Sequence, residues 1–138
     1  MYKDNANVIS LITNYFISRG LETRCVIERG VEEFGLDESD ILVVLSINES
    51  YIYDVSFLFT LGDYTLNYTI MVYDRNNKLE IAETFEMLLK DTEKFNDIHI
   101  SKHNGNYMVS GNMHCSELDE KVLNKINEAM YFIDENMV

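Results

Sequence analysis

The most apolar part of the chain lies between Asp40 and Asp74. It contains three runs of aliphatic, β-branched and aromatic residues, Ile41–Ile47, Tyr51–Leu61 and Tyr64–Val72. Only three and two residues separate these runs, and connections that short join neighbouring antiparallel strands. The pattern therefore predicts an antiparallel meander at the centre of the fold.

Apolar residues recur at helical spacing in three segments outside this region. The first helix is predicted over Asn5–Arg19 and ends before Gly20, a residue type that commonly follows a helix. A second helix is predicted over Leu79–Phe95, and a third begins after Ser116, its N-cap. We expect the three helices to cover one face of the sheet.

Two further regions have strand patterns. In Leu21–Ile27, alternate residues fall into two sets, the period expected of a half-buried strand. One set is Leu21, Thr23, Cys25 and Ile27, and the other is Glu22, Arg24 and Val26. Ile98–Ser101 and Asn106–Gly111 flank Asn104-Gly105, and Asn-Gly is a strong hairpin signal. Val31–Leu36 fits either a short strand or an exposed loop. The elements together predict an α+β fold, an antiparallel β-meander sheet covered by N-terminal, middle and C-terminal helices.

Length and composition favour a single α+β domain over residues 1–138. A domain of this size buries roughly two thirds of the surface of its unfolded chain. The hydrophobic content is 46%, with seven Phe and nine Tyr, and proline is absent from the sequence. These values are typical of a folded globule rather than a disordered acidic chain.

The net charge adds information about partners. Eleven Lys and Arg against 24 Asp and Glu give a formal charge of −13, which repels phosphate backbones and disfavours direct nucleic-acid binding. It favours a partner protein with a basic segment. The alternative is that the negative surface only keeps the protein in solution.

Cysteine usage and the N-terminus indicate the compartment. Cys25 and Cys115 are the two cysteines, too few for the disulfide framework of a small secreted domain. The N-terminus lacks the pattern of a signal peptide, and no apolar run reaches the roughly 18 residues of a membrane span. We expect a cytoplasmic protein that makes no membrane contact.

The residues suited to metal binding or nucleophilic chemistry are His99, His103, His114-Cys115 and Cys25. They include the nitrogen and sulfur donors that zinc prefers, but their spacing fits no usual zinc pattern. Adjacent residues such as His114 and Cys115 do not normally form a base–nucleophile pair. No glycine-rich phosphate loop occurs. We therefore expect no metal, no cofactor, no catalytic residue and no enzymatic activity.

Two segments are candidates for partner binding. The acidic stretch Glu28–Asp40 fits a solvated loop or a docking surface for a basic partner, and lacks the pattern of a calcium loop. The middle helix has an apolar stripe wider than one sheet contact requires, which fits either a helix buried on two sides or a partner or dimer face. The predicted partner-binding residues are Glu28, Glu32, Glu33, Asp37, Glu38, Asp40, Leu79, Phe85 and Leu88.

The order of elements in this short acidic chain resembles that of the type III secretion chaperone-like superfamily, including its YbjN-type members. The stretch Glu80–Asp134, with its helix, Asn-Gly hairpin and final helix, carries the resemblance best. The chain departs from the pattern by one extra strand candidate before the middle helix. The resemblance implies a non-enzymatic binding protein, often a homodimer, that engages an extended segment of another protein. It assigns no functional residue by position.

Two functional hypotheses follow. The first is a protein-binding adaptor or chaperone-like module that uses apolar grooves beside the sheet and an acidic rim. The second is a small acidic inhibitor that mimics nucleic acid and occupies the basic cleft of a nuclease, as some phage anti-defence proteins do. An exposed apolar groove favours the first, and carboxylates spread over one face at phosphate-like intervals favour the second.

Overall fold

A computed structural model describes residues 5–29, 41–47, 53–61, 67–74, 79–114 and 117–136. These residues form three helices and six strands. In chain order the elements are α1 (Asn5–Ile17), β1 (Thr23–Arg29), β2 (Ile41–Ile47), β3 (Tyr53–Leu61), β4 (Asn67–Asp74), α2 (Leu79–Asp91), β5 (Asn96–His103), β6 (Asn106–His114) and α3 (Glu120–Asn136).

The six strands form one sheet in the order β1-β2-β3-β4-β6-β5, and every neighbouring pair is antiparallel. The predicted meander is confirmed, and β1 extends it at one edge. The predicted strand over Leu21–Ile27 is confirmed with its bounds moved to Thr23–Arg29. Val31–Leu36, which fitted either strand or loop, lies outside the described residues.

The β5–β6 hairpin confirms the Asn-Gly prediction. Asn104 and Gly105 have φ angles of 49° and 83°. Two consecutive left-handed residues are typical of the type I′ turn, whose twist matches that of the flanking strands. The hairpin joins the meander because β6 pairs with β4.

The core lies between the sheet and the helices. Pairs of residues directly opposite one another on neighbouring strands, such as Val43 with Phe59 and Leu45 with Phe57, are buried on the helix-covered face. The other face carries a smaller cluster around Leu58, which packs with Val44, Tyr73 and Met108. Residues Ile41–Leu45 of β2 are all apolar, and β2 is an interior strand with β1 on one side and β3 on the other.

The end of α2 differs from the predicted one. The helix was expected to continue to Phe95, but it ends at Asp91. Glu93 has a φ of 59°, in the left-handed region that interrupts a right-handed helix. The Thr92 hydroxyl donates to the Leu89 carbonyl at 2.8 Å. Phe95 is nevertheless buried, so its position in the apolar pattern reflects the core and not the helix.

The start of α3 also differs. Ser116, the predicted N-cap, lies outside the described residues, and the helix begins at Glu120. Asp119 is the N-cap because its Oδ1 accepts a hydrogen bond from the Val122 amide at 3.1 Å. Its Oδ2 lies 2.7 Å from Lys94 Nζ. Partial burial opposes the charged form, but the hydrogen bonds from Lys94 and Val122 outweigh it and lower the pKa of Asp119.

Candidate functional site

Helices α2 and α3 pack side by side on the sheet, and each carries a buried inner apolar stripe. We call the apolar residues on their other sides, Met87 and Leu88 on α2 and Phe132 on α3, the outer stripes. The inner stripes face the core and are buried, because residues three and four apart lie on the same side of a helix. They consist of Ile81, Ala82, Phe85 and Leu89 on α2, and of Val122, Leu123, Ile126, Ala129, Met130 and Ile133 on α3. The outer stripes lie at the surface and form the site described next.

An open groove with a volume of about 560 Å³ lies between the outer sides of the two helices. We call it the α2/α3 groove. The α2 wall covers two helical turns, and the α3 wall covers one. The groove is lined by Glu80, Glu83, Thr84, Met87, Leu88, Glu128 and Phe132.

Three apolar side chains of the described residues line the α2/α3 groove. Leu88 is partly buried and packs against the core, whereas Met87 is 64% exposed and Phe132 is 47% exposed. Single exposed apolar residues are common on proteins, but adjacent ones in a concave site mark interaction surfaces more often. Met87 and Phe132 leave much of their surface in water, so this side of the helices has apolar area to offer a partner.

The rim of the groove is acidic. Among the described residues that line it, three are carboxylates, Glu80, Glu83 and Glu128, and none is Lys or Arg. The nearest cation along α3, Lys125, lies 3.0 Å from Asp91 and only 3.8 Å from Glu128. Hydrogen bonding to Asp91 raises the pKa of Lys125, which therefore stays charged. The rim favours lysine or arginine on a ligand.

One rim carboxylate also has a structural reason to be there. Glu80 lies in the first turn of α2, where a negative side chain interacts favourably with the helix dipole. Its backbone carbonyl accepts a hydrogen bond from the Thr84 hydroxyl at 2.8 Å. Glu83 and Glu128 lie farther along their helices, so the dipole does not account for them. Glu83 and Glu128 are therefore the rim carboxylates whose charge is best explained by binding of a basic ligand.

A buried tyrosine fixes the C-terminal half of α3, where Phe132 lies. The Tyr53 hydroxyl lies 3.2 Å from Asp134 Oδ1 and 3.5 Å from the Met130 carbonyl, and donates to this pair of acceptors. Burial and the adjacent Asp134 carboxylate raise the pKa of Tyr53. The hydroxyl is therefore neutral and able to donate at neutral pH. It holds the α3 wall of the groove to β3.

The middle-helix residues predicted to bind a partner have three different positions. Leu88 lines the α2/α3 groove, and Leu79 is 40% exposed at the first position of α2. Phe85 is fully buried, with its ring centroid 5.7 Å from that of Tyr53. Phe85 thus belongs to the core and not to a partner-binding surface, because it lies on the side of α2 that faces the sheet.

Of the acidic stretch between residues 28 and 40, the structure describes only residues 28 and 29. Glu28 lies in β1, where it pairs in register with Leu42 of β2. The other five predicted residues lie outside the described part of the chain, and they are Glu32, Glu33, Asp37, Glu38 and Asp40. Their role as a docking surface stays a prediction.

Sequence reasoning did not select several groove residues, namely Glu80, Glu83, Met87, Glu128 and Phe132. Phe132 could have been recognised as a candidate, because it is an aromatic residue outside the periodic stripe that ends at Ile133. Met87 offered another, because it adds a second apolar residue beside Leu88. No sequence pattern shows that these two helices face each other, so the groove itself required the tertiary structure.

The described histidine and cysteine candidates lie on three strands of the sheet, Cys25 on β1, His99 and His103 on β5 and His114 on β6, whereas Cys115 lies outside the described residues. His99 Nδ1 lies 2.7 Å from the Asp97 carbonyl, and its Nε2 lies 3.4 Å from Ser110 Oγ. His114 lies four positions beyond Ser110 on β6, about 13 Å along a strand. Within the described residues, no group of three His, Cys, Asp or Glu side chains is placed to hold a metal ion.

The fold and the groove together define a class: an α+β domain with an open apolar groove and a negative rim. No protein-family model, curated protein or solved structure matches the chain. Among the helices that the structure describes, none is long and apolar enough to cross a membrane.

Proposed function

We propose that this protein is a non-enzymatic protein-binding module whose α2/α3 groove takes a short segment of a partner protein. The segment has apolar side chains for the groove and lysine or arginine beside them for the rim. The observation that carries the proposal is the juxtaposition of exposed Met87 and Phe132 with the carboxylates Glu80, Glu83 and Glu128. Apolar anchors in a groove between helices are an established mode of peptide recognition.

The size of the groove limits the affinity of an isolated segment. Full burial of a Met or Phe side chain contributes about 1.5–3 kcal/mol. Ordering the segment and its side chains offsets part of this contribution. We expect a dissociation constant of roughly 10 µM to 1 mM for a single segment. Such an affinity suits reversible binding of a client. It also suits a partner that makes a second contact elsewhere on the protein, which would strengthen the complex.

A chaperone-like role, as the resemblance to type III secretion chaperones implies, belongs to the same proposal. So does a cytoplasmic location, where a reducing environment keeps the exposed thiol of Cys25 free. The nucleic-acid-mimicking inhibitor stays a prediction, since most of the acidic segment that motivates it lies outside the described residues. The groove favours the adaptor because a mimic of phosphates has no use for an apolar cleft.

Binding of designed peptides tests the proposal. The probe is a fluorescent amphipathic helical peptide of leucine and lysine, titrated against the protein and followed by anisotropy. A leucine–glutamate peptide of the same pattern removes the charge match, and a serine–lysine peptide removes the apolar anchors. We expect binding of the leucine–lysine peptide alone. Equal binding of the serine–lysine peptide would reduce the interaction to general charge attraction and contradict the proposal.

A pair of variants locates the binding. Phe132→Glu places a carboxylate inside the groove, and we expect it to weaken peptide binding at least tenfold. Tyr131→Glu changes the charge equally at the neighbouring exposed aromatic residue, which does not line the groove. We expect less than a twofold effect from this control. Equal effects of the two variants would place the peptide elsewhere on the surface.

A further inference from the structure

The α2/α3 groove has two different ends because its helices are antiparallel. Lys125 Nζ, in the first half of α3, lies 3.0 Å from the carboxylate of Asp91, the last residue of α2. Lys94 Nζ, just after α2, lies 2.7 Å from the carboxylate of Asp119, the N-cap of α3. The start of α3 therefore lies beside the end of α2. We call this end of the groove the Lys125 end, and the opposite one the Glu80 end.

The basic residues of the two helices lie at the Lys125 end. They are Lys90, Lys121 and Lys125. Lys125 Nζ lies 3.8 Å from the Glu128 carboxylate and partly neutralises its charge. At the other end, Glu80 and Glu83 form no ion pair with a described residue. The negative charge of the rim is therefore least neutralised at the Glu80 end.

The apolar contacts of the groove lie one helical turn apart. From the contact between Lys125 and Asp91, one turn along each helix reaches Glu128 and Leu88. A further turn along α3 reaches Phe132. Leu88 and Phe132 both line the groove and are thus separated by about 6 Å along its axis. Residues i and i+4 of a ligand helix have this spacing.

The walls of the groove consist of side chains on helices whose own backbone groups are hydrogen bonded. The Thr84 hydroxyl on the α2 wall donates to the Glu80 carbonyl. An extended segment would find no row of backbone partners here and would bury unpaired N–H and C=O groups against Met87 and Phe132. A helix satisfies these groups internally. Two turns of helix, about 11 Å, match the stretch of α2 from Glu80 to Leu88, which is about 12 Å long.

We propose that the α2/α3 groove binds a helix of a partner protein in one direction. Two apolar side chains four residues apart contact Leu88 and Phe132, and a basic turn at one end of the helix lies over Glu80 and Glu83. This mode of binding rests on the proposed function of the groove and adds the conformation, anchor spacing and direction of the bound segment. It differs from the extended segment that the resemblance to type III secretion chaperones implies.

Two synthetic peptides test the helical conformation. The first has two leucines four residues apart, lysines in the turn before them, and alanine and glutamine elsewhere. The second has proline between the leucines, which keeps the anchors and charges but breaks the helix, so we expect it to bind about tenfold more weakly or worse in fluorescence anisotropy. Equal binding of the two peptides would overturn the helical mode. Failure of both to bind at about 1 mM would contradict the proposed function itself.

Paramagnetic broadening tests the direction. The first peptide carries a nitroxide either at its basic end or at its neutral end. The reporters are the methyl signals of Ile81, near the Glu80 end, and of Ile126, near the Lys125 end, both on the inner stripes. Ile81→Val and Ile126→Val assign them. We expect the label at the basic end to broaden Ile81 more, and the label at the neutral end to broaden Ile126 more. Equal broadening of both signals by both labels would overturn the single direction.

An exchange of charges tests the cause of the direction. Glu83 is chosen because the dipole of α2 offsets part of the charge of Glu80. Glu83→Lys combined with Lys125→Glu moves the least neutralised charge to the Lys125 end and keeps the net charge at −13. We expect the peptide to reverse, so that the label at its basic end broadens Ile126 more than Ile81.

A matched exchange outside the groove is the control. Glu22→Lys combined with Lys102→Glu makes the same charge changes at exposed positions of the sheet side of the molecule. We expect the direction of the peptide to stay as in the unmodified chain. Circular dichroism and the melting temperature verify that both variants are folded. The proposal is overturned if the peptide keeps its direction in the groove variant, or if it reverses in the control.

Discussion

The inner and outer apolar stripes of α2 and α3 have similar residue types but different surroundings. Phe85 and Met130 on the inner side are buried against the sheet, whereas Phe132 and Met87 on the outer side are largely exposed. Burial of the inner stripes stabilises the fold. The outer stripes contribute little to that burial and carry an acidic rim. The outer stripes therefore leave apolar surface in the groove that the proposed partner segment would bury.

Truncation of one aromatic or aliphatic residue on each side gives the largest contrast. Phe85→Ala is expected to lower the free energy of unfolding by about 3–5 kcal/mol, because it removes a fully buried ring and leaves a cavity. Met87→Ala is expected to change it by less than about 0.5 kcal/mol, as at most exposed sites. Urea denaturation measures both. A loss above about 2 kcal/mol for Met87→Ala would give the outer stripe a structural role.

The cap of α3 should matter less than the core and should depend on acidity. Asp119→Ala removes the hydrogen bond to the Val122 amide and the contact with Lys94, so we expect a loss of about 1–2 kcal/mol at pH 7. The pKa of Asp119 is lowered in the folded state. The carboxylate therefore stabilises the fold above its unfolded pKa of about 3.9, and this contribution disappears as the pH falls through the folded value.

Denaturation at pH 7 and at pH 3 checks this prediction, with Asp119→Asn as the control. Asparagine is a good N-cap without the charge, so its loss should be smaller than that of alanine at pH 7. A gap between the original chain and Asp119→Ala that stays constant over this pH range would contradict the assignment of the cap.

The hydroxyl of Tyr53 is predicted to contribute about 1 kcal/mol through its hydrogen bonds. Tyr53→Phe keeps the ring in the core and removes only the donor to Asp134 and Met130. Since the folded pKa is raised, the contribution is complete below the unfolded pKa of about 10 and is lost as pH rises through the folded pKa. The gap between the two proteins should close in strong alkali.

Denaturation at pH 7 and above pH 10 measures this effect. Tyr131→Phe is the matched control because the Tyr131 side chain is exposed. We expect no difference in stability for it at neutral pH. A similar loss for both variants would show that the hydrogen bonds of the Tyr53 hydroxyl do not hold α3 to β3.

The smallest predicted effect concerns the rim. The double change Glu83→Gln and Glu128→Gln should weaken binding of the leucine–lysine peptide ~3-fold at low salt, and the difference should vanish near ~0.5 M salt because exposed charges are screened. Glu117→Gln with Glu135→Gln removes two exposed carboxylates outside the groove. A loss of the same size in this control would assign the attraction to net charge and not to the rim.

Local patterns in the sequence predicted most of the fold, because strands and helices differ in period and because short turns dictate antiparallel neighbours. Ile41–Ile47 and the Asn104-Gly105 turn are confirmed at the predicted residues. The errors lie at helix ends. Ser116 and Asp119 are both good N-cap residue types, and the hydrogen bond from the Val122 amide, which the sequence does not show, assigns the cap to Asp119.

Local sequence patterns predicted the residues of the α2/α3 groove less well than they predicted the fold. The width of the stripe on α2 indicates more than one contact, and Leu88, which that stripe includes, lines the groove. The pattern does not say which part of a wide stripe faces the sheet, so it does not separate the buried Phe85 from the residues at the surface. The approach of Phe132 to Met87 depends on how α3 packs beside α2, which no local period encodes.

Methyl NMR of the methionines tests the groove most directly. Met87 and Met130 lie on the outer and inner stripes of the same helix pair, so each serves as the reference for the other. The labelled methyl signals are assigned with Met87→Leu and Met130→Leu and followed during addition of the leucine–lysine peptide. We predict a saturable shift of the Met87 signal and an unchanged Met130 signal. An unchanged Met87 signal at millimolar peptide would contradict the proposed binding site.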